Sequence, residues 1–317
     1  MSHVYVLVEH SRGQLAPVTA ELITAARPLG VVSAVVVGAP GTAGPLATEL
    51  GQLGAEQVID ASAADYAQRL ITPEVDALHA LGAANPAPIV IAASDTGNEI
   101  AGRLGARLAS GVLANVVEIT AERTARHQIF GGTYETLAAA GGAAPIFTLR
   151  PGSVTPQPQA AAGALAPMEL PAATAKDVTV TSFTPAVAGD RPELTQAKAV
   201  VAGGRGVGSA EGFTEVVEPL ADALGAAVGA TRDATDEGWY DHAFQIGQTG
   251  ENVSPDLYIG VGVSGAIQHT SGMQTAGTIV VINQDGDEPF FKIADLGVVG
   301  DLHEIVPALT EELRSRS

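Results

Sequence analysis

The side chains in this sequence that could do chemistry mostly stand beside glycines. The run "GVGVSGAIQH" places glycines at 260, 262 and 265 and then carries Gln268 and His269. Glycines let backbone approach a ligand closely, and a histidine just after them can offer a ring N–H. Arg205 lies within "GGRGVG", and Arg232 follows "GAT" at 229–231. A cation at a glycine turn suits a phosphate or a ring that gains negative charge, although a surface arginine in an ion pair looks the same in sequence. Such cations stand out because the net charge is −19, a balance that repels a nucleic-acid backbone. The chain has no cysteine, which excludes disulfides, thiolate metal sites and cysteine nucleophiles. No nucleophile with a base, acid–base pair or metal cluster is visible, so the residues point to holding a ligand rather than turning over a substrate.

The glycine run also fits G-x-G-x-x-G, with Asp285 about twenty residues on, the usual place of a ribose-binding acid. A NAD-dependent oxidoreductase using residues 260–265 is therefore the alternative reading. The helix after the run is short and broken by Gly272, and the sheet continues at this point rather than begins.

Strands and helices alternate in two halves, so the expected class is α/β with parallel sheets. In the first half "VYVLV" (4–8), "VVSAVVVG" (31–38), "AEQVIDA" (55–61) and "APIVIAAS" (87–94) read as strands. Helical spacing runs through 15–29, 44–55 and 96–110, the last with Ser94 or Asp95 as N-cap. "GVLANVVEI" and "AAPIFTLRPGSV" add strands. Residues 151–177 are Pro- and Ala-rich with little periodicity, "VTVTSFTPA" (178–186) alternates like an edge strand, and "AGDRPELTQA" resembles a hinge. Two domains are expected, 1–190 and 191–317. The second half restarts with a strand ending in Gly203 and Gly204, then a helix from Ser209, and further strands "AAVGA", "PDLYIGVG" and "TIVVIN" before a closing helix from 301. Four glycine-rich or polar segments fall at strand ends: 203–208, 229–232, 247–250 and 262–269. The carboxyl ends of parallel strands share one edge of a sheet, so these segments converge on an extended ligand with a phosphate end and a polar ring. No leader segment or bilayer-length apolar run is visible, and a cytoplasmic protein is expected.

"RPELTQAKAVVAGGRGVGS", "AAVGATRDATDEGW", "QIGQTG" and "LYIGVGVSGAIQHTSGM…TIVVIN", in this order through residues 191–317, resemble the C-terminal domain of the electron-transfer flavoprotein alpha subunit. The first half resembles that family more loosely, through its α/β pattern and "FTLRPGS". The resemblance implies a flavodoxin- or Rossmann-like domain holding one extended FAD, and an N-terminal domain contacting a beta subunit that binds AMP. It implies an electron carrier without substrate turnover of its own, fed by flavin dehydrogenases such as acyl-CoA dehydrogenases and emptied by a membrane quinone oxidoreductase. Matched to the family's motifs, Arg205 falls at the pyrophosphate, Thr231 and Arg232 at the flavin ring, and Ile246, Gly247, Gln248 and Thr249 along it, with Thr249 near N5. Ser264, Gly265, Ala266, Ile267, Gln268 and His269 wrap the ring and ribityl chain, with His269 near the pyrimidine oxygen. Asn283, Asp301 and Leu302 reach the adenosine end. Thr231 stands where the family commonly has serine, which keeps the hydroxyl. Glu251 stands where many members have lysine or arginine, which reverses the local charge.

Overall fold

The computed structural model describes residues 3–130, 132–175, 177–183 and 191–316. The chain forms two compact units, Met1–Pro185 and Ala186–Ser317. The boundary expected near residue 190 lies outside the described residues.

Apart from a small antiparallel pair, His10–Ser11 with Gln14–Leu15, the strands of the N-terminal unit are β1 (His3–Leu7), β2 (Val31–Gly38), β3 (Gln57–Ser62), β4 (Ile89–Ala92), β5 (Val112–Val116), β6 (Glu118–Ile119), β7 (Thr124–Ile129), β8 (Tyr134–Ala139), β9 (Ile146–Leu149) and β10 (Ala164–Glu169). Seven of them make one parallel sheet in the order β10-β3-β2-β1-β4-β9-β5. Helices α1 (Val18–Ala26), α2 (Ala43–Leu53), α3 (Thr72–Ala84) and α4 (Asp95–Leu108) cover it. The central strands are near-continuous apolar runs because both faces are buried; two core clusters, around Leu22 and Phe147 and around Leu78 and Ile91, lie on opposite faces. The Ser94 side chain accepts the Gly97 N–H at 3.0 Å and caps α4 as its position suggests. β6, β7 and β8 form a separate antiparallel sheet.

Two expectations for residues 151–186 change. The segment read as lacking periodicity contains β10, which tolerates Pro167 because an edge strand has one side free of ladder bonds. The segment read as an alternating edge strand makes, in its described part 178–183, one bridge between Thr179 and Arg69.

The C-terminal unit has strands β11 (Ala199–Gly203), β12 (Ala227–Ala230), β13 (Leu257–Val261), β14 (Thr278–Asn283) and β15 (Leu296–Val299), all parallel, in the order β12-β11-β13-β14-β15. A continuous helix, α5, runs over residues 210–224, passing through a π-turn at Phe213–Val217. Ser209 caps it, accepting the Gly212 N–H at 3.2 Å. The helix packs tightly on the sheet because Gly203 has no Cβ; one there would sit 2.5 Å from the Phe213 ring. Two short helices, α6 (Arg232–Asp236) and α7 (Ile267–Thr270), precede the closing helix α8 (Leu302–Arg316). In this strand order the chain turns to one side after β11 and later returns to the other. The adjoining carboxyl ends of β11 and β13 are therefore a topological switch point, where a crevice opens beyond the sheet.

Candidate functional site

A cavity of about 770 Å³ lies at that switch point. Four strand ends and one loop supply its wall. Arg205 and Gly206 follow β11, Thr231 and Arg232 follow β12, and the loop 245–249 comes next. Gly262 to Ser264 follow β13, and Asn283 ends β14 with Gln284 and Asp285 after it. Of the residues picked out in sequence, Gly265, Ile267, Asp301 and Leu302 lie off the lining, and the other twelve are on it.

The four off the lining have other tasks. Gly265 is left-handed, φ +82°, and a Cβ there would lie 2.5 Å from the Phe290 backbone. The Ile267 side chain is 45 % exposed. Asp301 caps α8, its Oδ1 accepting the His303 N–H at 2.8 Å. Leu302 is buried in the core with Val261 and Val306. The glycines of the opening run thus approach protein as much as ligand. Gly260 faces the Phe290 ring, and Gly262, though on the cavity wall, packs on Gly206 with room for no Cβ. This packing, and a following helix of only four residues, depart from the dinucleotide fingerprint, whose glycines serve a pyrophosphate and a longer helix.

Thr231 ends the turn from β12. Its N–H donates to Gly203 at 2.9 Å, while its buried Oγ1 has no hydrogen-bond partner among the described residues. A buried hydroxyl left unpaired costs about 1–3 kcal/mol, and this one belongs to a cavity-wall residue. Arg232 follows it, and its Nε donates to Asp236 at 3.2 Å with the side chain 64 % exposed. Arg205 is exposed in the turn after β11. The cavity wall also carries Asp233, Asp236, Asp285 and Glu288, so its two arginines stand among carboxylates.

The loop 245–249 is pinned from both sides. The Gln248 N–H donates to the Gln268 carbonyl at 2.8 Å, and the Glu251 N–H to Gln245 at 2.7 Å. The buried Gln245 side chain, a cavity residue that opens the "QIGQTG" run but was assigned no role in sequence, donates from Nε2 to the Thr249 hydroxyl at 2.9 Å and accepts from Thr235 at 3.0 Å. Asn283 uses its side chain within the protein, donating to Val263 O at 3.1 Å and accepting from Asp285 N at 3.2 Å. It holds two cavity loops together.

His269 is on the cavity wall and is tied into the protein. Its ring is buried, with Nδ1 3.1 Å from the Ile246 carbonyl and Nε2 2.7 Å from the Tyr258 hydroxyl. Both nitrogens have partners inside the protein. Burial pushes the imidazole down to about 4; the Ile246 bond and the field of Asp233 oppose this only in part. Among the described residues, no helix is long and apolar enough to cross a membrane.

The family described as "Electron transfer flavoprotein FAD-binding domain" matches residues 193–274, and that described as "Electron transfer flavoprotein domain" matches residues 4–188. Proteins named electron transfer flavoprotein subunit alpha are similar along the whole chain. The one from Mycobacterium tuberculosis (strain CDC 1551 / Oshkosh) is 54% identical and that from Mycobacterium leprae 50% identical, each over 100% of this chain and 99% of the relative. The one from Paracoccus denitrificans is 40% identical over 93% of this chain and 94% of its own length.

Proposed function

Since the chain belongs to the family of electron transfer flavoprotein alpha subunits, we propose that its C-terminal unit holds one FAD in the switch-point cavity and that the protein works as a redox carrier. The observation that carries this is the unpaired Thr231 hydroxyl, a buried polar group in a cavity wall built by five successive strand ends and loops. A polar ring edge would satisfy it, and a cavity of this volume suits a large cofactor. When bound, FAD supplies the electron-transfer chemistry that no side chain here provides.

The chain's own residues bind and orient. Arg205, in the turn after β11, holds the pyrophosphate together with backbone N–H groups of the glycine loops. Thr231 and Arg232 hold the ring, Arg232 being the cation beside charge gained on reduction. Gln248 and Thr249 line the ring, and Gln245 fixes the Thr249 hydroxyl that offers or receives a proton there. Ser264, Ala266 and Gln268 surround the remainder. In this reading the N-terminal unit contacts a beta subunit that carries AMP, electrons arrive from flavin dehydrogenases such as acyl-CoA dehydrogenases, and they leave to a membrane quinone oxidoreductase.

The test is the absorbance spectrum of the full-length chain purified with its beta subunit. Stoichiometric yellow FAD is expected. A folded, colourless heterodimer that also fails to take up added FAD would overturn the proposal.

A further inference from the structure

After β10 the chain returns to the segment that precedes α3. The described residues of 171–183 are mostly exposed, Val178 by 57 % and Phe183 by 81 %, so apolar burial does little to hold them. Polar ties do. The Arg69 side chain is only 2 % exposed; its Nη1 donates to the Pro171 carbonyl at 2.8 Å, and its Nη2 donates to Asp76 at 2.5 Å and lies 3.5 Å from Asp177. A guanidinium carries five donors in a fixed fork, so one side chain can bind this stretch at two points. Asp76, on α3, is also paired with Arg107 of α4 at 2.5 Å, which anchors the fork in the N-terminal unit. Asp177 accepts the Thr174 N–H at 2.6 Å, and Asp65 the Ala173 N–H at 3.3 Å. The Val180 N–H donates to the Gln68 carbonyl at 2.9 Å, beside the bridge between Arg69 and Thr179.

The chain is next fixed in the C-terminal unit. Arg191 donates to Asp222 from Nε at 2.6 Å and from Nη2 at 3.1 Å, and Leu194 is buried. Ten residues, 181–190, separate Val180 from Arg191, and they span at most about 40 Å. Were the ties at 171–180 released, the preceding fixed residue would be Leu170, which is buried and donates to the Ser62 carbonyl at 3.0 Å. Twenty residues, 171–190, would then connect the units, with a limit of about 75 Å.

We propose that Arg69 is a clamp that sets the length of the tether between the two units. It fastens 171–180 to the N-terminal unit and leaves ten residues rather than twenty to lead to the unit that bears the cavity. Doubling a tether lowers the effective concentration of one unit at the other about threefold. The clamp concerns this chain alone; its consequence, a bound on how far a cofactor in the cavity can travel from the N-terminal unit, rests on the FAD reading above.

The experiment is limited proteolysis of the full-length chain purified with its beta subunit, using thermolysin, which cuts before apolar residues. Cut sites and rates are read by mass spectrometry for wild type, Arg69→Met and Asp177→Ala. Wild type is expected to be cut before Phe183, beyond the clamp, and at least tenfold more slowly before Val178 and Val180. Arg69→Met should raise the cuts at 178 and 180 to the rate at 183. Asp177→Ala, which leaves Arg69 paired with Asp76, should raise them at least threefold and keeps the test in force if Arg69→Met does not fold. Wild type cut as fast at 178 and 180 as at 183 overturns the proposal, and so does a folded variant with the wild-type pattern. The cuts are read with or without FAD, so failure of the clamp and failure of the cavity to take FAD are separate results.

Discussion

The Gln245 amide donates to the Thr249 hydroxyl at 2.9 Å from a position only 6 % exposed. Its oxygen meets the Thr235 hydroxyl at 3.0 Å. One buried side chain therefore joins α6, through Thr235, to the loop that carries Thr249. Gln245→Leu keeps most of the volume and removes both bonds. It leaves the Thr249 hydroxyl short of its donor, while the Thr235 hydroxyl keeps the Arg232 carbonyl at 3.0 Å, and should cost ~1 kcal/mol. Denaturant unfolding checks this; an unchanged midpoint with unchanged slope would show that the amide contributes nothing net.

His269 should make the protein acid-sensitive. Its folded pKa is depressed to about 4, below an ordinary value of roughly 6.5. The unfolded chain therefore takes up the proton first as pH falls. The stability at stake is fully present above about pH 6.5 and is lost as pH drops toward 4. The shift corresponds to at most ~3 kcal/mol. Urea midpoints measured at pH 7.5, 6 and 5 should fall, and His269→Gln should flatten the fall. Parallel curves for the two proteins would refute the assignment.

Glu21 works in the opposite sense. Desolvation raises its carboxyl to about 7, although backbone N–H groups of Gly152, Val154 and Ser153 pull it down. Below about pH 4.5 both the folded and unfolded chains hold the proton, and the stabilisation is complete. It is lost as pH rises through 7. Glu21→Gln should therefore lose less stability than wild type between pH 5 and 8.5, which thermal melts across that range would show. An equal or steeper decline would contradict it.

Gly265 and Gly208 separate crowding from backbone strain. Both are left-handed, φ +82° and +88°, but only at Gly265 would a Cβ strike backbone, 2.5 Å from Phe290; at Gly208 nothing lies within 4 Å. Gly208→Ala should cost ~1–2 kcal/mol, the strain alone. Gly265→Ala should cost clearly more, beyond ~3 kcal/mol, or prevent folding. Equal losses in melting temperature would mean that the Phe290 contact yields.

What was legible in sequence follows from what local pattern can encode. "TIVVIN" (278–283) holds a mostly apolar run, 278–282, after a glycine, and its limits coincide with the strand. Leu296–Val299 is four residues at the sheet edge, largely exposed, and gives no such contrast. Ala164–Glu169 was hidden by Pro167, which only an edge position admits. The convergence of glycine segments was readable because parallel strands end on one side. The partners of His269 were not readable. Tyr258 lies eleven residues before it and Ile246 twenty-three, and only the folded sheet brings them together. Gln245 opens the quoted "QIGQTG" run but was assigned no role, since its partners, Thr249 four residues on and Thr235 ten residues before, are fixed only by the fold.

Arg232 and Asp236 give the test that joins electrostatics to the proposed cofactor. Arg232 is on the cavity wall, and its guanidinium is paired with Asp236 at 3.2 Å. A cation near a flavin ring favours the form that has gained negative charge, and so raises the reduction potential. Arg232→Ala in the FAD-loaded heterodimer should lower it. The exposed side chain limits the effect by solvent screening to ~1 kcal/mol or less, about 20 mV for a two-electron couple. Asp236→Asn removes the competing carboxylate and should raise the potential by a similar or smaller amount. Arg205→Ala should instead weaken FAD retention on dialysis and leave the potential nearly unchanged, because a cation at the pyrophosphate acts far from the ring. Redox titration of the three variants beside wild type decides the matter. Opposite shifts for the first two place Arg232 at the reducible ring. Unchanged potentials in both would take Arg232 away from the ring, and a shift in Arg205→Ala alone would assign that place to Arg205.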